Sequence, residues 1–333
     1  MILAIESSCD DSALALVSIA DNKIVFEARL SQSKAHTRYG GVVPELAARL
    51  HAKNLPKLLT RALPFAKAIK AIAVTNCPGL TVALAEGVVM AQALSLALDA
   101  PILPIHHIKG HLMSLFIDKE AAFPLSALMV SGGHTMILEA RSHACAQEVG
   151  ATLDDAIGEA FDKVAKMLNL GYPGGALVEN LASGGDENRF DFPLPLRGDK
   201  RIAFSFSGLK NSVRLAVMSR DDADERFKAD LCASFQKAAV NHLLDKAALY
   251  LNSGVEIRRF GLIGGVSANG YLRRKFGDLC AANGIEPLFA PLEFSGDNAA
   301  MIARAAIEAF KVKEFCDAGA IKIYSRRRLE CLS

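Results

Sequence analysis

The chain has 333 residues, of which 51% are hydrophobic, and its formal net charge at pH 7 is only +2. This length and apolar content predict about two compact units and exclude a largely disordered protein. A net charge so close to neutral gives no whole-molecule argument for a nucleic-acid partner, although a local basic patch remains compatible with it.

Seven cysteines lie singly along the chain, at positions 9, 77, 145, 232, 280, 316 and 331. Because none forms a CxxC pair, they predict free thiols in a reducing compartment and disfavour a disulfide framework or a cysteine-based zinc site. The N-terminus MILAIESSCDD lacks the basic leader of a signal peptide. The apolar stretch between Glu86 and Asp99 is too short to cross a bilayer and predicts a buried helix. We expect a soluble, cytoplasmic protein that does not contact membranes.

The first half of the chain begins with a predicted β-hairpin, because ILAIESSCDDSALALVSI has the pattern of strand, small polar turn and strand. NKIVFEARLSQ follows as a third strand. Pro44 is well placed to open the next segment, which has helical spacing. AIAVTNCPGL then predicts a buried strand ending in a Pro-Gly turn, and an alanine-rich helix extends to Leu98.

The second half repeats this beginning. ALMVSGGHTMILEA, residues 127–140, again predicts strand, small polar turn and strand, and LDDAIGEAFDKVAKMLNL predicts a helix. FGLIGGVSANGYLRRKF predicts a strand, a glycine turn and a helix start, and SGDNAAMIARAAIEAF a turn and a helix. The repeated hairpin suggests an internal duplication, so we predict two α/β lobes around a cleft, with ligand-binding turns at strand ends.

His107 and His111 in HHIKGHL are four residues apart, so on a helix they share one face. Two neutral imidazoles at this spacing can both bind one transition metal, but two ligands leave the site incomplete. The alternative is two ordinary exposed histidines. HIKGH also lacks the glutamate of the HExxH motif, which disfavours a zinc peptidase.

Three glycine-containing turns predict contact with an anion. They are VSGGHT with Gly132 and Gly133, LGYPGG with Gly175, and IGGVSAN with Asn269. Glycines let backbone N–H groups surround a phosphate, although VSGGHT is equally compatible with a plain hairpin turn. Because the chain has no P-loop and no GxGxxG motif, the three turns together indicate a nucleotide held mainly by backbone groups.

Several acidic residues are candidates with simpler alternatives. Glu6, Asp10 and Asp11 crowd the first predicted turn, where acidic residues are common for conformational reasons. Asp162 fits a solvated helix acid, and Asp297 fits the N-cap of the last helix. The basic runs KAHTRYGG and YSRRRLE fit solvated faces, and they do not by themselves indicate RNA binding.

In this order along the chain, the motifs IESSCDDSALAL, HTRYGGVVPELAARLH, PGL, HHIKGHL, VSGGHT, LDDAIGEAFDKVAKMLNLGYPGG, FSFSGLKNSV, GGVSANGYLR and DNAAMIA resemble the TsaD family. These are the tRNA N6-adenosine threonylcarbamoyltransferases once labelled sialoglycoprotein endopeptidases. The resemblance covers nearly the full length. It implies an α/β fold of the actin/Hsp70/sugar-kinase (ASKHA) type, with duplicated lobes at residues 1–123 plus 299–333 and at residues 124–298 around a nucleotide cleft.

The resemblance also implies the site residues. His107, His111 and Asp297 correspond to the family's metal ligands, so we expect one divalent ion per subunit, Fe(II) or Zn(II). The family's substrate-binding positions fall at the end of one predicted strand, on the three glycine turns and on one helix: Met129, Val130, Ser131, Gly132, Gly133, Asp162, Gly175 and Asn269.

The implied activity is an acyltransferase reaction of tRNA modification. The threonylcarbamoyl group of threonylcarbamoyl-AMP passes to N6 of the adenosine 3′-adjacent to the anticodon, in tRNAs reading codons that start with A. The products are t6A and AMP, and Asp10 and Asp162 are alternative acceptors of the amine proton. The implied partners are tRNA, a TsaB-type paralogue and a TsaE-type ATPase. The alternatives are a kinase or chaperone-like ATPase of the same fold, and a non-catalytic paralogue scaffold.

Overall fold

The computed structural model describes residues 1–219 and 224–329, which divide into two compact units. The first unit contains Met1–Phe123, Ala140–Gln147 and the described residues from Ala290 onward. The second unit contains Pro124–Glu139 and Glu148–Phe289. Each unit is built on a five-stranded sheet.

The first sheet consists of β1 (Ile2–Glu6), β2 (Asp11–Val17), β3 (Ile24–Ser31), β4 (Ala71–Cys77) and β5 (Ile102–His106). Its spatial order is β3-β2-β1-β4-β5. The β1–β2 and β2–β3 pairs are antiparallel, whereas the β1–β4 and β4–β5 pairs are parallel. Every residue of β1 and β4 is buried, as expected for strands covered on both faces. The carboxyl ends of β1, β4 and β5 therefore meet at one edge.

The second sheet consists of β6 (Leu125–Val130), β7 (Thr135–Ala140), β8 (Ala146–Ala151), β9 (Arg259–Ile263) and β10 (Glu286–Phe289). Its spatial order is β10-β9-β6-β7-β8. Read from β8, this is the succession of the first sheet: third, second, first, fourth and fifth strand. The predicted duplication is confirmed by this shared order. The β6–β9 and β9–β10 pairs are parallel, so the carboxyl ends of these strands also share an edge.

Helices cover the strands of each unit. Those of the first unit are α1 (Ser33–His36), α2 (Pro44–Ala62), α3 (Thr81–Leu98), α4 (His107–Met113) and α10 (Ala299–Lys311). Those of the second are α5 (Ile157–Met167), α6 (Gly174–Ala182), α7 (Ser207–Met218), α8 (Glu225–Leu251) and α9 (Gly270–Ala282). Pro44 opens α2, as predicted. Helix α10 packs against α4 and β1, so it is part of the first unit's core.

Helix α3 differs from the expectation of a buried helix. Only part of its surface packs against the unit, through Ala83, Leu84, Gly87, Val88 and Ala91. On the opposite side, Val82, Val89 and Leu96 are 42%, 61% and 79% exposed. The sequence does not reveal this, because the helix is apolar all round. By length and composition alone α3 is also a candidate membrane span, which is weak evidence because core helices of soluble proteins pass the same test.

The cysteines follow the prediction with one exception. Cys9, Cys77, Cys232, Cys280 and Cys316 are free thiols. Cys145 is disulfide-bonded, which corrects the expectation for that residue. Because disulfide formation depends on proximity in space, cysteines scattered along a sequence do not exclude it. The remaining cysteine, at position 331, lies outside the described residues.

Two buried charged side chains of α8 hold the irregular segment that precedes α7. The Asp230 carboxylate accepts hydrogen bonds from the backbone N–H of Asp186 and from Arg189, both at 2.7 Å. Farther along α8, the Lys246 ammonium donates to the carbonyl oxygens of Leu196 and Asp199. A buried charge is tolerated only when it is paired or hydrogen-bonded, and both are. This irregular segment is thus fixed to the second unit.

Candidate functional site

His107 and His111 lie where β5 passes into α4, at the edge formed by the carboxyl ends of β1, β4 and β5. His107 is 5% exposed and His111 is fully buried, so the alternative of ordinary exposed histidines is wrong. Gly110 lies between them, and a Cβ there would stand 2.6 Å from Cδ1 of Ile302 on α10. The absence of a side chain at Gly110 leaves room for Ile302 where α10 packs against α4.

Asp297, in that turn, points its carboxylate at both imidazoles. Its Oδ1 lies 3.1 Å from Nε2 of His111 and 3.5 Å from Nε2 of His107. One ligand atom from each of the three residues lies within 4.8 Å of the others. His111 and Asp297, separated by 186 positions, therefore converge, and the group can hold a metal ion.

The N-cap of α10 is the residue after Asp297. Asn298 Oδ1 accepts a hydrogen bond from Met301 N at 2.8 Å, whereas the Asp297 side chain faces the histidines. The alternative that Asp297 caps α10 is therefore wrong, because the cap is the next residue. Arg29 donates to the backbone oxygen of Asp297 at 3.1 Å, which fixes the turn without using the carboxylate.

The distances fit a metal site. Two ligand atoms about 2.1 Å from one ion stand roughly 3.0–3.4 Å apart at octahedral or tetrahedral angles, close to the two separations measured from Asp297 Oδ1. Two imidazoles and one carboxylate with open positions form a donor set suited to Fe(II) or Zn(II).

Glu6, which the sequence pattern indicates only as part of a turn, completes this arrangement. The residue ends β1 and is fully buried. Its Oε2 lies 3.2 Å from Nδ1 of His107 and accepts a 2.6 Å hydrogen bond from the Thr75 hydroxyl. Its Oε1 accepts a 2.6 Å hydrogen bond from Ser8 N. When neutral His107 donates Nδ1–H to Glu6, its lone pair is on Nε2, which faces Asp297.

The ionisation of these groups follows from their contacts. Burial lowers the pKa of His107, but the carboxylates of Asp297 and Glu6 outweigh it and raise that pKa to about 9. Burial likewise raises the pKa of Glu6, and the His107 imidazole more than compensates, so the Glu6 pKa is below its ordinary value. For His111, burial dominates and the pKa is lowered. His111 is thus neutral at pH 7, as a metal ligand must be.

More carboxylates of the first hairpin turn surround the group. Burial, followed by the charge of Asp297, raises the pKa of Asp10, and burial with Asp297 and Asp10 raises that of Asp11 to about 7. Oδ1 of Asp11 is buried without a hydrogen-bond partner, and Arg29 lies 3.8 Å from its other oxygen. A bound cation would relieve the repulsion among these carboxylates, which is a second reason why the residues suit a metal ion.

In the second unit, the VSGGHT turn follows β6 directly. Ser131 closes the turn, because its N donates to His134 O at 2.8 Å and its Oγ accepts from His134 N at 3.0 Å. Gly132 and Gly133 are exposed, and a Cβ at either would meet no atom within 4 Å. Packing therefore does not require these glycines, and the open space beside their backbone is available to a ligand.

Other glycines hold neighbouring segments against this turn. A Cβ at Gly158, in the first turn of α5, would lie 2.8 Å from Cα of Gly132. A Cβ at Gly264, after β9, would lie 2.4 Å from the oxygen of Val130, and its φ of +91° also favours glycine. The start of α5 and the end of β9 thus pack directly against the Val130–Gly132 segment.

Asp162 and Gly175 occupy a neighbouring helix start. Asp162 is half-buried, and its Oδ1 accepts a 2.6 Å hydrogen bond from Gly174 N, so it anchors the beginning of α6. The alternative that Asp162 is a solvated acidic residue of a helix is therefore wrong. A Cβ at Gly175 would meet nothing within 4 Å. Gly175 therefore offers backbone in open space at a helix N-terminus, where the dipole favours anions.

The remaining predicted substrate positions are buried. Met129 and Val130 have no exposed surface, so only their backbone groups are available to a ligand. Asn269 is 6% exposed and caps α9, because its Oδ1 accepts from Leu272 N and its Nδ2 donates to Gln236. The amide of Asn269 is therefore largely committed to the fold and keeps one N–H for another partner.

Comparison with known proteins assigns the chain to a family. The family model for TsaD, tRNA N6-adenosine threonylcarbamoyltransferase, matches residues 23–304. The chain belongs to the TsaD family. It is 54% identical over 324 residues to the tRNA N6-adenosine threonylcarbamoyltransferase of a Nitratiruptor species, an alignment that covers 96% of this chain and 97% of the relative. The enzyme of the same name from Wolinella succinogenes is 53% identical, with 95% of each chain covered.

Solved structures show the fold of this TsaD family member. HypF from T. kodakarensis superposes with a TM-score of 0.63 at 14% identity, over 94% of this chain and 47% of HypF. Component A of the Acidaminococcus fermentans (R)-2-hydroxyglutaryl-CoA dehydratase superposes with a TM-score of 0.55 at 14% identity, over 93% of this chain and 98% of that protein. The predicted ASKHA-type fold is confirmed.

Proposed function

We propose that this protein transfers the threonylcarbamoyl group of threonylcarbamoyl-AMP to N6 of the tRNA adenosine 3′-adjacent to the anticodon, forming t6A. Family membership at 54% identity over nearly the whole chain carries the proposal. The convergence of His107, His111 and Asp297 supports it, because the rival kinase and chaperone-like ATPase reactions use Mg²⁺ and carboxylates and leave the histidines without a role. A non-catalytic scaffold would not need the three ligands either.

The reaction needs few groups from the protein. The adenosine amine attacks the carbamoyl carbonyl carbon, the bond from that carbon to the phosphate oxygen breaks, and AMP leaves. The two histidines and Asp297 would hold one Fe(II) or Zn(II) ion per subunit. When bound, this ion would act as a Lewis acid on the reacting group. Backbone groups of the Ser131–Gly133 turn and of Gly175 hold the adenylate and orient it.

The amine proton requires an acceptor, and Asp10 suits this role better than Asp162. The Asp162 carboxylate already accepts a hydrogen bond from Gly174 N. Asp10 belongs to the same unit as the metal ligands, and burial and the charge of Asp297 raise its pKa. A carboxylate with a raised pKa is a better base.

The partners follow from the same proposal. Besides threonylcarbamoyl-AMP and tRNA, we expect a TsaB-type paralogue and a TsaE-type ATPase, and a cytoplasmic location where tRNA is modified. The exposed side of α3 supports a protein partner, because three large aliphatic side chains are otherwise left in water.

A reconstitution tests the proposal. The chain, its TsaB- and TsaE-type partners and a threonylcarbamoyl-AMP synthase are incubated with threonine, bicarbonate, ATP and unmodified tRNA, and the nucleosides are analysed by mass spectrometry. We expect t6A only when the chain is present. ATP hydrolysis or sugar phosphorylation by the chain without t6A would support the kinase-like alternative instead.

A further inference from the structure

The C-terminal strap, residues 321–329, carries a cluster of charge that the proposed site leaves unexplained. Arg326, Arg327 and Arg328 are consecutive and exposed. None of the three forms an ion pair with a carboxylate within the part of the chain that the structure describes. Three adjacent cations that pair with no described carboxylate create a local positive potential on a nearly neutral protein.

Hydrogen bonds hold the strap on the first unit. Tyr324 N donates to Asn76 O at 3.0 Å, and Asn76 Nδ2 donates to Lys322 O at 2.9 Å. Gly79 N donates to Ser325 O at 3.2 Å. Ile321 and Ile323 pack against the core of the unit, and Leu329 is buried. The arginines are thus presented by an anchored backbone, unlike the charges of a loose tail.

The strap lies at the functional edge of its sheet. Asn76 is near the carboxyl end of β4, and His106 ends β5 immediately before the proposed ligand His107. His106 Nε2–H donates to the carbonyl oxygen of Arg327 at 3.0 Å. The strap is therefore tied to the residue preceding a proposed metal ligand.

The side chains of the strap combine charge with an aromatic surface. The Arg327 guanidinium lies 5.2 Å from the centre of the Tyr324 ring, and Tyr324 is 38% exposed. Arginines bind phosphates, and aromatic rings and guanidinium planes stack on unpaired bases. Single-stranded RNA offers both groups, whereas an acidic protein surface does not use the ring in this way.

We propose that this strap binds the anticodon loop of the tRNA, with Arg326, Arg327 and Arg328 on phosphates and Tyr324 beneath an unpaired base. The inference rests on the proposed function. The strap would give this chain its own tRNA-binding surface, at the edge where the tRNA adenosine must arrive. Any partner protein would contribute further contacts.

Binding of unmodified tRNA to the metal-loaded full chain, measured by fluorescence anisotropy over a series of salt concentrations, tests the strap. Replacing Arg326, Arg327 and Arg328 together by Ala should raise Kd about tenfold or more and lower the salt slope by about two to three, because three phosphate contacts are lost. Tyr324→Leu should raise Kd roughly tenfold and keep the slope, because a stacking contact is lost without charge. Unchanged metal content of both variants shows that the site is folded.

The matched control removes the same charge from an exposed face of α2, by replacing Lys53, Lys57 and Arg61 with Ala. This variant should bind tRNA like the wild type. Four results would each overturn the inference. They are an unchanged Kd and salt slope in the strap variant, an equal loss of tRNA affinity in the control, a strap variant that loses a protein partner and keeps its tRNA affinity, and no tRNA binding by the wild type. Failure of the proposed function is a separate result, namely tRNA binding without t6A formation.

Discussion

Glu6 acts on the candidate metal centre through His107. Its carboxylate is fully buried and accepts hydrogen bonds from Thr75, Ser8 and His107. These hydrogen bonds fix the position of the carboxylate and stabilise its charge. A carboxylate behind a histidine ligand fixes the tautomer and the ring orientation and increases the basicity of the ligand nitrogen. We therefore expect Glu6 to position His107 for a metal ion.

Replacing Glu6 by Gln should weaken metal binding about 10- to 100-fold at pH 9, because the charge that orients His107 is lost. The measurement is a competition titration of the metal-free protein against a chelator. Glu27→Gln, which alters a β3 carboxylate away from the ligands, serves as the control and should keep the wild-type affinity.

The pH dependence supplies a second readout that a merely structural role would not change. In the wild type, a proton on His107, whose pKa is about 9, competes with the metal, so affinity should fall as pH falls below about 9. In Glu6→Gln one of the carboxylates that raise this pKa is neutral, so the fall should begin at lower pH. Equal profiles for both proteins would contradict the role of Glu6.

Sequence patterns predicted some of these residues and missed others for physical reasons. The spacing of His107 and His111 placed them on one helix face, because helical periodicity is local. Asp297 was predicted as a ligand only from the family resemblance. The structure was needed to decide between a metal ligand and a helix cap, because Asn298 is the residue that caps α10. Glu6 was interpreted as an ordinary acidic residue of a turn. Its contact with His107 was missed because the two residues are 101 positions apart and the order of strands in a sheet is not visible in one sequence.

At the level of elements, glycines serve two different purposes in the second unit. Gly158 brings α5 against the VSGGHT turn, where a Cβ would collide with backbone. Gly133, within the turn, has open space around it. Both are glycines beside the proposed adenylate site, yet one is needed for packing and the other for ligand approach.

This difference predicts opposite outcomes for two alanine substitutions. Gly158→Ala should destabilise the protein by about 1–3 kcal/mol, because backbone must shift to admit the new atom. Gly133→Ala should leave the stability nearly unchanged and lower the affinity for AMP, because the methyl group occupies the ligand's space. Thermal unfolding and calorimetric titration with AMP measure the two effects. Full AMP affinity in Gly133→Ala would contradict the placement of the adenylate.

Helix α3 provides a test of the predicted protein partner. Val89 is 61% exposed in the middle of an apolar stripe, so a charge there costs the isolated chain little. Val89→Glu should retain the wild-type thermal stability and lose association with the TsaB-type paralogue, measured by analytical ultracentrifugation. Lys57→Glu on α2 is the matched surface change. Wild-type association of Val89→Glu would assign the partner to another face.

The predicted elements were mostly right where the pattern was local. The repeated strand–turn–strand segments, Pro44 at the start of α2 and the glycine turns at strand ends all appear as expected, because turn chemistry and alternation depend on neighbouring residues. The burial of α3 was wrong, since an all-apolar helix has no periodicity to show which side faces the core.

At the scale of the whole molecule, two units with the same strand order carry different chemistry. The first places two histidines and several carboxylates at the carboxyl ends of its parallel strands. The second places open glycine backbone at the corresponding edge of its sheet. The two units thus have similar edges, and different residues at those edges form a candidate metal site in one unit and a predicted adenylate site in the other.

Metal content and t6A formation, measured on the same preparations of wild type and His111→Ala, test the central claim most directly. His143→Ala, whose imidazole faces Glu314, is the matched control. We predict about one divalent ion per wild-type and control chain with full t6A formation, and loss of both in His111→Ala, because two remaining ligands hold the ion poorly. Wild-type t6A formation by a metal-free His111→Ala protein would contradict the account.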